Sequence, residues 1–220
     1  MVIELTAADG HRLAAYAAGP ADAKRALVVV QEIFGVNNNM RRICDAFAAE
    51  GYAVVAPALF DRVARGTELA YGPADVQRGR TLKGEVPEVG LMLDVEAAAA
   101  ALPKGATRGI IGYCWGGTVA WWGATRATSF AAAVGWYGGG IAGTRTETPH
   151  CPVQLHFGEI DHAIPSTDID AIQQAQPAVE IFVYKGAGHG FGCDERDSYS
   201  APDQKLAHER SLAFLAKHLG

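Results

Sequence analysis

Six short apolar runs, separated by longer segments of helical character, restrict the folds open to this chain. Each run is rich in β-branched residues and has apolar side chains on both faces, as strands buried in a parallel sheet do. The six runs are residues 27–30, 52–55, 109–112, 131–134, 153–157 and 179–184. Helical candidates lie at residues 38–50, 87–102, 116–125, 168–174 and 202–218. Because strands that alternate with helices need crossover connections, the pattern predicts an α/β fold with a mostly parallel sheet flanked by helices.

Two regions depart from this alternation. Residues 3–6 and 13–16 flank an Asp9-Gly10 pair, and this pattern predicts an N-terminal antiparallel hairpin at the edge of the sheet. Residues 61–87 show no clean periodicity. We expect an irregular insertion there that shapes a pocket, and no large lid.

Length and composition fit one globular domain over residues 1–220. The chain is 49% hydrophobic and 20% charged, which is ordinary for a folded enzyme or binding protein. Its net charge of -5 argues against nucleic acid and against an anionic membrane surface as partners. Residues 127–144 carry no charge, but their glycines and polar residues favour a strand and loop over a membrane span.

The cysteines point to free thiols. Cys44, Cys114, Cys151 and Cys193 form no CxxC pair, so zinc-ribbon and thioredoxin-like sites have no support. Residues 1–9 lack the basic start and apolar run of a signal peptide. A cytoplasmic location, where thiols stay reduced, is therefore expected.

The sharpest local signal is the sequence Gly-Tyr-Cys-Trp-Gly-Gly at residues 112–117. It lies between an apolar run and a helical candidate, and small residues stand two before and two after Cys114. This is the pattern of a nucleophile elbow, a strained strand–turn–helix that exposes its central residue. The helix N-terminus would favour a thiolate there. The alternative is that Cys114 is only a small buried residue.

An elbow nucleophile needs an acid and a histidine later in the chain, in that order. Asp161 follows the apolar run 153–157, and His189 follows the run 179–184 within Gly-His-Gly-Phe. Both therefore come just after the carboxyl ends of predicted strands, the edge at which ligands of open α/β sheets bind. His189 would act as general base and acid, and Asp161 would orient it. His156 lies inside a predicted strand, and we expect it to belong to the core.

A second signal follows the first buried strand, in Gln-Glu-Ile-Phe-Gly at residues 31–35. At this point an elbow enzyme supplies one of its oxyanion-binding N–H groups. We expect the backbone N–H groups of Ile33 and Trp115 to fill that role. Glu32 is unusual beside an oxyanion. It either pairs with an arginine or meets the Cys114 thiol and controls its protonation.

Together these motifs resemble the dienelactone hydrolases. The resemblance rests on residues 31–35, residues 112–117, Asp161 and the Gly-His-Gly-Phe of residues 188–191, and it extends from about residue 9 to the final helix. It implies an α/β-hydrolase fold and an enzyme that opens a cyclic enol-lactone, dienelactone, to maleylacetate. Cys114 would be the nucleophile, with His189 and Asp161 as its partners. Glu32 would take the thiol proton when substrate binds.

The resemblance also implies a substrate pocket, and here the sequence departs from the family. An arginine before the long helix should bind the substrate carboxylate, and Arg80 matches best, with Arg78 close by. The family's second arginine, four residues after the histidine, is Cys193 in this chain. Phe34 and Tyr137 are expected to contact substrate, although Tyr137 could equally be a core aromatic residue.

The sequence thus predicts a hydrolase that acts through a Cys–His–Asp triad on a small, carboxylate-bearing ester or lactone. No metal or organic cofactor is implied, and a monomer or small homo-oligomer is expected. A broader carboxylesterase or lactonase on the same triad is the alternative enzyme. A non-catalytic protein that senses oxidants through Cys114 is the alternative from a different class.

Overall fold

The computed structural model describes all residues from 1 to 220 and contains eight β-strands and six α-helices. The chain divides into two compact units, Met1–Gly109 and Ile110–Gly220. The expectation of one domain over residues 1–220 stays a prediction. None of the helices combines the length and apolar character that a membrane crossing requires.

In the first unit, four strands lie in the order β1-β2-β4-β3. They are β1 (Val2–Thr6), β2 (Arg12–Ala18), β3 (Arg25–Val30) and β4 (Ala53–Pro57). Strands β1 and β2 pair antiparallel, with Thr6 opposite Arg12, and confirm the predicted N-terminal hairpin. Strand β2 is also antiparallel to β4, whereas β3 and β4 are parallel. The valine-rich strands β3 and β4 are almost fully buried and form the interior of this unit.

The helices of the first unit are α1 (Asn38–Ala49), α2 (Pro73–Glu85) and α3 (Glu88–Ala101). Helix α1 begins at a side-chain cap, because Asn37 accepts a hydrogen bond from the Met40 N–H. Its buried residues Met40, Cys44 and Phe47 recur at helical spacing and pack against β4 and β2.

In the second unit, strands lie in the order β5-β6-β7-β8. They are β5 (Thr107–Tyr113), which begins at the end of the first unit, β6 (Ala132–Trp136), β7 (Val153–Gly158) and β8 (Glu180–Tyr184). The pairs β6–β7 and β7–β8 are parallel, as predicted. Helices α4 (Trp115–Arg126), α5 (Ser166–Ala175) and α6 (Ala201–Leu219) complete the unit, and α4 and α6 pack against β6.

Two details of the sequence-based prediction were wrong. Residues 61–87 are not irregular throughout, because 73–85 form helix α2. Only Gly79 and Leu82 of α2 are buried, so its apolar stripe is too narrow to give a clear periodic pattern. Strand β8 is not buried on both faces, since Glu180 and Val183 are exposed.

Helix α2 approaches the loop after β3 closely at Gly79. A Cβ atom added to Gly79 would overlap with the carbonyl oxygen of Ile33. This glycine therefore allows the helix backbone to lie directly against the loop that carries Glu32 and Ile33, both of which are buried. The residue type is set here by packing, not by helix propensity.

We expect Gly79→Ala to lower the free energy of unfolding by about 1–3 kcal/mol, as overpacking does. Alanine normally favours a helix over glycine, so the sign of this change is diagnostic. Gly84→Ala in the same helix is the matched control: no atom lies near its added Cβ, and it should stabilise by up to about 1 kcal/mol. Urea unfolding of both variants measures the difference. Equal stabilisation by both substitutions would contradict the close approach.

Candidate active site

Cys114 occupies the turn between strand β5 and helix α4. Its backbone angles are φ 56° and ψ -116°. A positive φ is unfavourable in free energy for any residue that has a Cβ atom. Strand β5 ends at Tyr113 and α4 begins at Trp115, so the predicted strand–turn–helix is confirmed. The Cys114 side chain is partly exposed, and the positive end of the α4 dipole lies beside it.

The glycines around Cys114 are required by steric contacts. A Cβ atom on Gly112 would overlap with the carbonyl of Gly116, and one on Gly117 would overlap with the carbonyl of Trp136. The turn can therefore close only if these positions lack side chains. The Cys114 N–H donates to the Trp136 carbonyl at 3.0 Å, which ties the turn to the end of β6.

Asp161 and His189 lie on the loops after β7 and β8 and meet, as their order along the chain predicts. The Nδ1–H of His189 donates to Asp161 Oδ2 at 2.7 Å. The second oxygen of that carboxylate accepts the Ala163 N–H at 2.8 Å. The Asp161 side chain is fully buried, whereas 21% of the His189 side chain is exposed. The carboxylate is thus held from both sides and fixes the tautomer of the imidazole.

The other ring nitrogen of His189 faces the cysteine. His189 Nε2 lies 3.1 Å from Cys114 Sγ, which is within hydrogen-bond distance. One imidazole therefore bridges a thiol and a carboxylate. This is the spatial relation that a nucleophile, a base and an orienting acid need for acyl transfer.

The surroundings of His189 favour its protonated form. Burial opposes the charge, but the Cys114 sulfur and the hydrogen bonds with Asp161 and Cys114 outweigh it and raise the pKa of His189 to about 10. At neutral pH an imidazolium therefore lies next to the sulfur. A cation at that distance stabilises negative charge on Sγ.

The loop that carries His189 is fixed by further hydrogen bonds. The Ser198 hydroxyl donates to the His189 carbonyl at 2.6 Å, and the Gly186 N–H donates to a carboxylate oxygen of Glu159 at 2.9 Å. Gly190 has φ 79°, and the Arg196 guanidinium lies where a Cβ of Gly190 would be. Glycine thus both permits the turn and makes room for this arginine.

A buried polar cluster lies under this loop, with His156 at its centre. His156 Nδ1 is 2.8 Å from the Tyr184 hydroxyl, and Nε2 is 2.9 Å from Gln154 Oε1 and 3.1 Å from Ser211 Oγ. Burial, together with the charge of Arg210, lowers the pKa of His156 to about 3. The expectation that His156 belongs to the core is confirmed.

The predicted oxyanion loop lies in the first unit. Glu32 is buried, and the Tyr71 hydroxyl lies 3.5 Å from its Oε2. Asn37 Nδ2 donates to that hydroxyl at 3.1 Å. The Phe34 ring packs on Tyr71 with 4.5 Å between centroids. The proposed meeting of Glu32 with the Cys114 thiol stays a prediction, as do the oxyanion roles of Ile33 and Trp115.

The predicted substrate-binding residues lie in different environments. Arg78 and Arg80 are exposed on helix α2, on either side of the buried Gly79. Phe34 and Tyr137 are each about 1% exposed. The Tyr137 ring lies 5.3 Å from the His189 ring. Contact of any of the four with substrate stays a prediction.

Sequence reasoning missed three supporting residues. Tyr71 lies in the segment that the sequence left irregular, so no periodicity marked it. Ser198 bonds the His189 carbonyl nine residues earlier, and Ser211 bonds His156 and Trp136 in distant strands; a lone serine carries no pattern in the sequence. Phe191, by contrast, belongs to the Gly-His-Gly-Phe motif and could have been singled out as the aromatic anchor of that loop.

The fold and the site define an α/β-hydrolase, with a nucleophile elbow after β5 and an acid and a histidine on later loops. The model of the dienelactone hydrolase family matches residues 13–219. A carboxymethylenebutenolidase of Pseudomonas putida is 33% identical over 232 residues, which is 97% of this chain and 95% of that protein. The chain therefore belongs to the dienelactone hydrolase family, whose members act on small esters and lactones.

Two further matches support membership of the same family. A protein of Synechocystis sp., provisionally named a carboxymethylenebutenolidase, is 38% identical over 194 residues, which is 80% of this chain and 78% of its own length. The crystal structure of a provisionally assigned dienelactone hydrolase from Klebsiella pneumoniae superimposes with a TM-score of 0.85 at 30% identity. That match covers 99% of this chain and 98% of the other.

We expect Cys114→Ala to lower the pKa of His189, because the sulfur contributes to raising it while burial opposes the charge. Titration of the imidazole by NMR measures the change. Cys151→Ala is the matched control, since it removes a half-buried thiol that is not bonded to His189. A pKa of His189 that stays the same in Cys114→Ala would show that the sulfur does not hold the imidazolium.

Proposed function

We propose that this protein is a cysteine hydrolase that opens dienelactone, a carboxylate-bearing enol-lactone, to maleylacetate through an acyl-enzyme thioester. The observation that carries the proposal is the His189 imidazole, which lies 3.1 Å from Cys114 Sγ and 2.7 Å from Asp161. Family membership supports hydrolysis of a small ester or lactone. The name of the Pseudomonas putida relative supports the particular lactone. A cytoplasmic setting would keep the nucleophilic thiol reduced.

In the acylation step, Cys114 Sγ attacks the lactone carbonyl and forms a C–S bond. Negative charge moves to the carbonyl oxygen, where the N–H groups of Ile33 and Trp115 would bind it. Collapse breaks the ring C–O bond, and the released enolate takes a proton, for which the His189 imidazolium is the nearest donor. The product stays attached to the enzyme as a thioester.

In the deacylation step, the now neutral His189 takes a proton from water as the water attacks the thioester. The C–S bond breaks, a carboxylic acid leaves, and the thiolate–imidazolium pair is restored. The net reaction consumes one water per lactone, and the released enol becomes the ketone. The family resemblance implies a different acceptor for the thiol proton: Glu32 would take it when substrate binds, in place of His189, and the same thiolate would then attack.

The nucleophile assignment is tested with cis- and trans-dienelactone beside p-nitrophenyl acetate, followed by absorbance. Wild type should consume dienelactone, and Cys114→Ala should lose both activities. Cys114→Ser should lose most activity, because a site set for a thiolate does not activate a serine hydroxyl. Full activity in Cys114→Ala would refute the nucleophile. Activity confined to the simple ester would keep the triad but reassign the substrate to another carboxylic ester.

The carboxylate-binding role of Arg80 is tested by Arg80→Ala. Loss of a charged hydrogen bond should weaken the transition-state binding of dienelactone by about 1–3 kcal/mol, measured from kcat/KM. Hydrolysis of the neutral p-nitrophenyl acetate should hardly change. Arg78→Ala is the matched control on the same exposed helix, with an expected effect smaller than that of Arg80→Ala. An equal loss on both substrates in Arg80→Ala would indicate a structural role.

A further inference from the structure

Tyr137 is the second residue in the chain, besides Cys114, that has a side chain and a left-handed backbone. Its φ is 40°, and it directly follows strand β6. Glycine adopts this conformation without strain, and the next three residues are all glycine. A large aromatic residue nevertheless occupies the strained position. A backbone outlier of this kind is the observation from which a functional role can be argued.

The Tyr137 ring packs edge-on against the His189 ring, at 5.3 Å between centroids and 60° between planes. The same ring contacts Phe191 at 5.4 Å. Phe191 is fully buried and stacks on Trp136 at 5.6 Å. Tyr137 is therefore clamped between the aromatic interior of the second unit and the imidazole.

The backbone of the Trp136–Tyr137 pair is fixed on two sides. The Tyr137 N–H donates to the His156 carbonyl of β7 at 2.7 Å, and the Trp136 carbonyl accepts from the Cys114 N–H at 3.0 Å. One dipeptide thus contacts the nucleophile turn through its carbonyl and the histidine loop through its ring. The position of this dipeptide therefore affects both Cys114 and His189.

While Cys114 is unmodified, three attachments fix the plane of the His189 ring: the covalent bond at Cγ and the hydrogen bonds at Nδ1 and Nε2. The Tyr137 ring adds a packing contact with the imidazole that does not depend on the sulfur. Once Cys114 is acylated, the bond between Nε2 and the thiolate is lost. Asp161 and Tyr137 then hold the imidazole while it activates water.

We propose that Tyr137 is a positioning residue: its ring holds the plane of the His189 imidazole in the acyl-enzyme, so that Nε2 faces the attacking water. The proposal rests on the proposed function of the triad and deepens it. It assigns to Tyr137 a role in deacylation, because acylation by a good leaving group needs no base once an imidazolium–thiolate pair is in place. Tyr137 therefore acts through His189, not by chemistry of its own hydroxyl.

The test is the burst kinetics of p-nitrophenyl acetate, which separate acylation from deacylation. Tyr137→Leu should lower the deacylation rate constant about tenfold, a fraction of the usual contribution of a general base, while the acylation rate constant changes far less. The burst should still equal the enzyme concentration. Tyr137→Phe should restore both rate constants, because it keeps the ring. If Tyr137→Leu does not fold, Tyr137→Met fills more of the volume and serves the same comparison.

Two further measurements separate positioning from general damage. Tyr52→Leu removes another buried tyrosine, one that packs on Phe47; it should lower stability but leave the ratio of the two rate constants at the wild-type value. The NMR signal of the His189 Nδ1–H should be sharp in wild type and in Tyr137→Phe. It should be broader in Tyr137→Leu, whatever the catalytic activity of that variant. An unchanged ratio and an unchanged signal in Tyr137→Leu would overturn the positioning role. Cys114-independent hydrolysis with a broadened signal would instead overturn the proposed function alone.

Discussion

The strained turn at Cys114 is the constraint on which the rest of the site depends. A cysteine with positive φ is stable only where the surrounding backbone holds it, and here the carbonyl groups of Gly116 and Trp136 come so close that Gly112 and Gly117 can have no side chain. The turn in return presents the sulfur at the start of helix α4. Strain in the backbone and exposure of the thiol are thus two consequences of the same packing.

The histidine is held by a different kind of interaction. Asp161 is fully buried, yet it accepts hydrogen bonds at both oxygens, so its charge is compensated. Below the loop, His156 is within hydrogen-bond distance of both the Tyr184 and the Ser211 hydroxyl groups, so these buried polar groups are partners of one another. A neutral His156 fits this cluster, because its low pKa keeps a second positive charge away from the interior. The loop therefore lies over a polar cluster in which His156 has hydrogen-bond partners at both ring nitrogens within the protein.

Much of the fold followed from the sequence because the signals were local. Six strands and five helices were predicted close to their observed bounds, since β-branched runs and helical segments alternate clearly. Helix α2 was missed because it buries only Gly79 and Leu82, and a helix with one narrow contact gives no periodic pattern. The exposure of Glu180 and Val183 in β8 was missed because a strand's position in the sheet depends on its neighbours, which no local window contains.

The order Cys114, Asp161, His189 and the glycines around two of them were determined by the sequence alone, because strand–turn–helix geometry and the place of loops after strands are local properties. Only the tertiary structure decided the distances between these side chains, the protonated state that the surroundings of His189 favour, and the packing of Tyr137 against it. It also decided that Tyr71 lies against Glu32 and that Gly79 lies against Ile33. Contacts between residues far apart along the chain arise from the packing of whole elements, and their energies do not appear in any single segment.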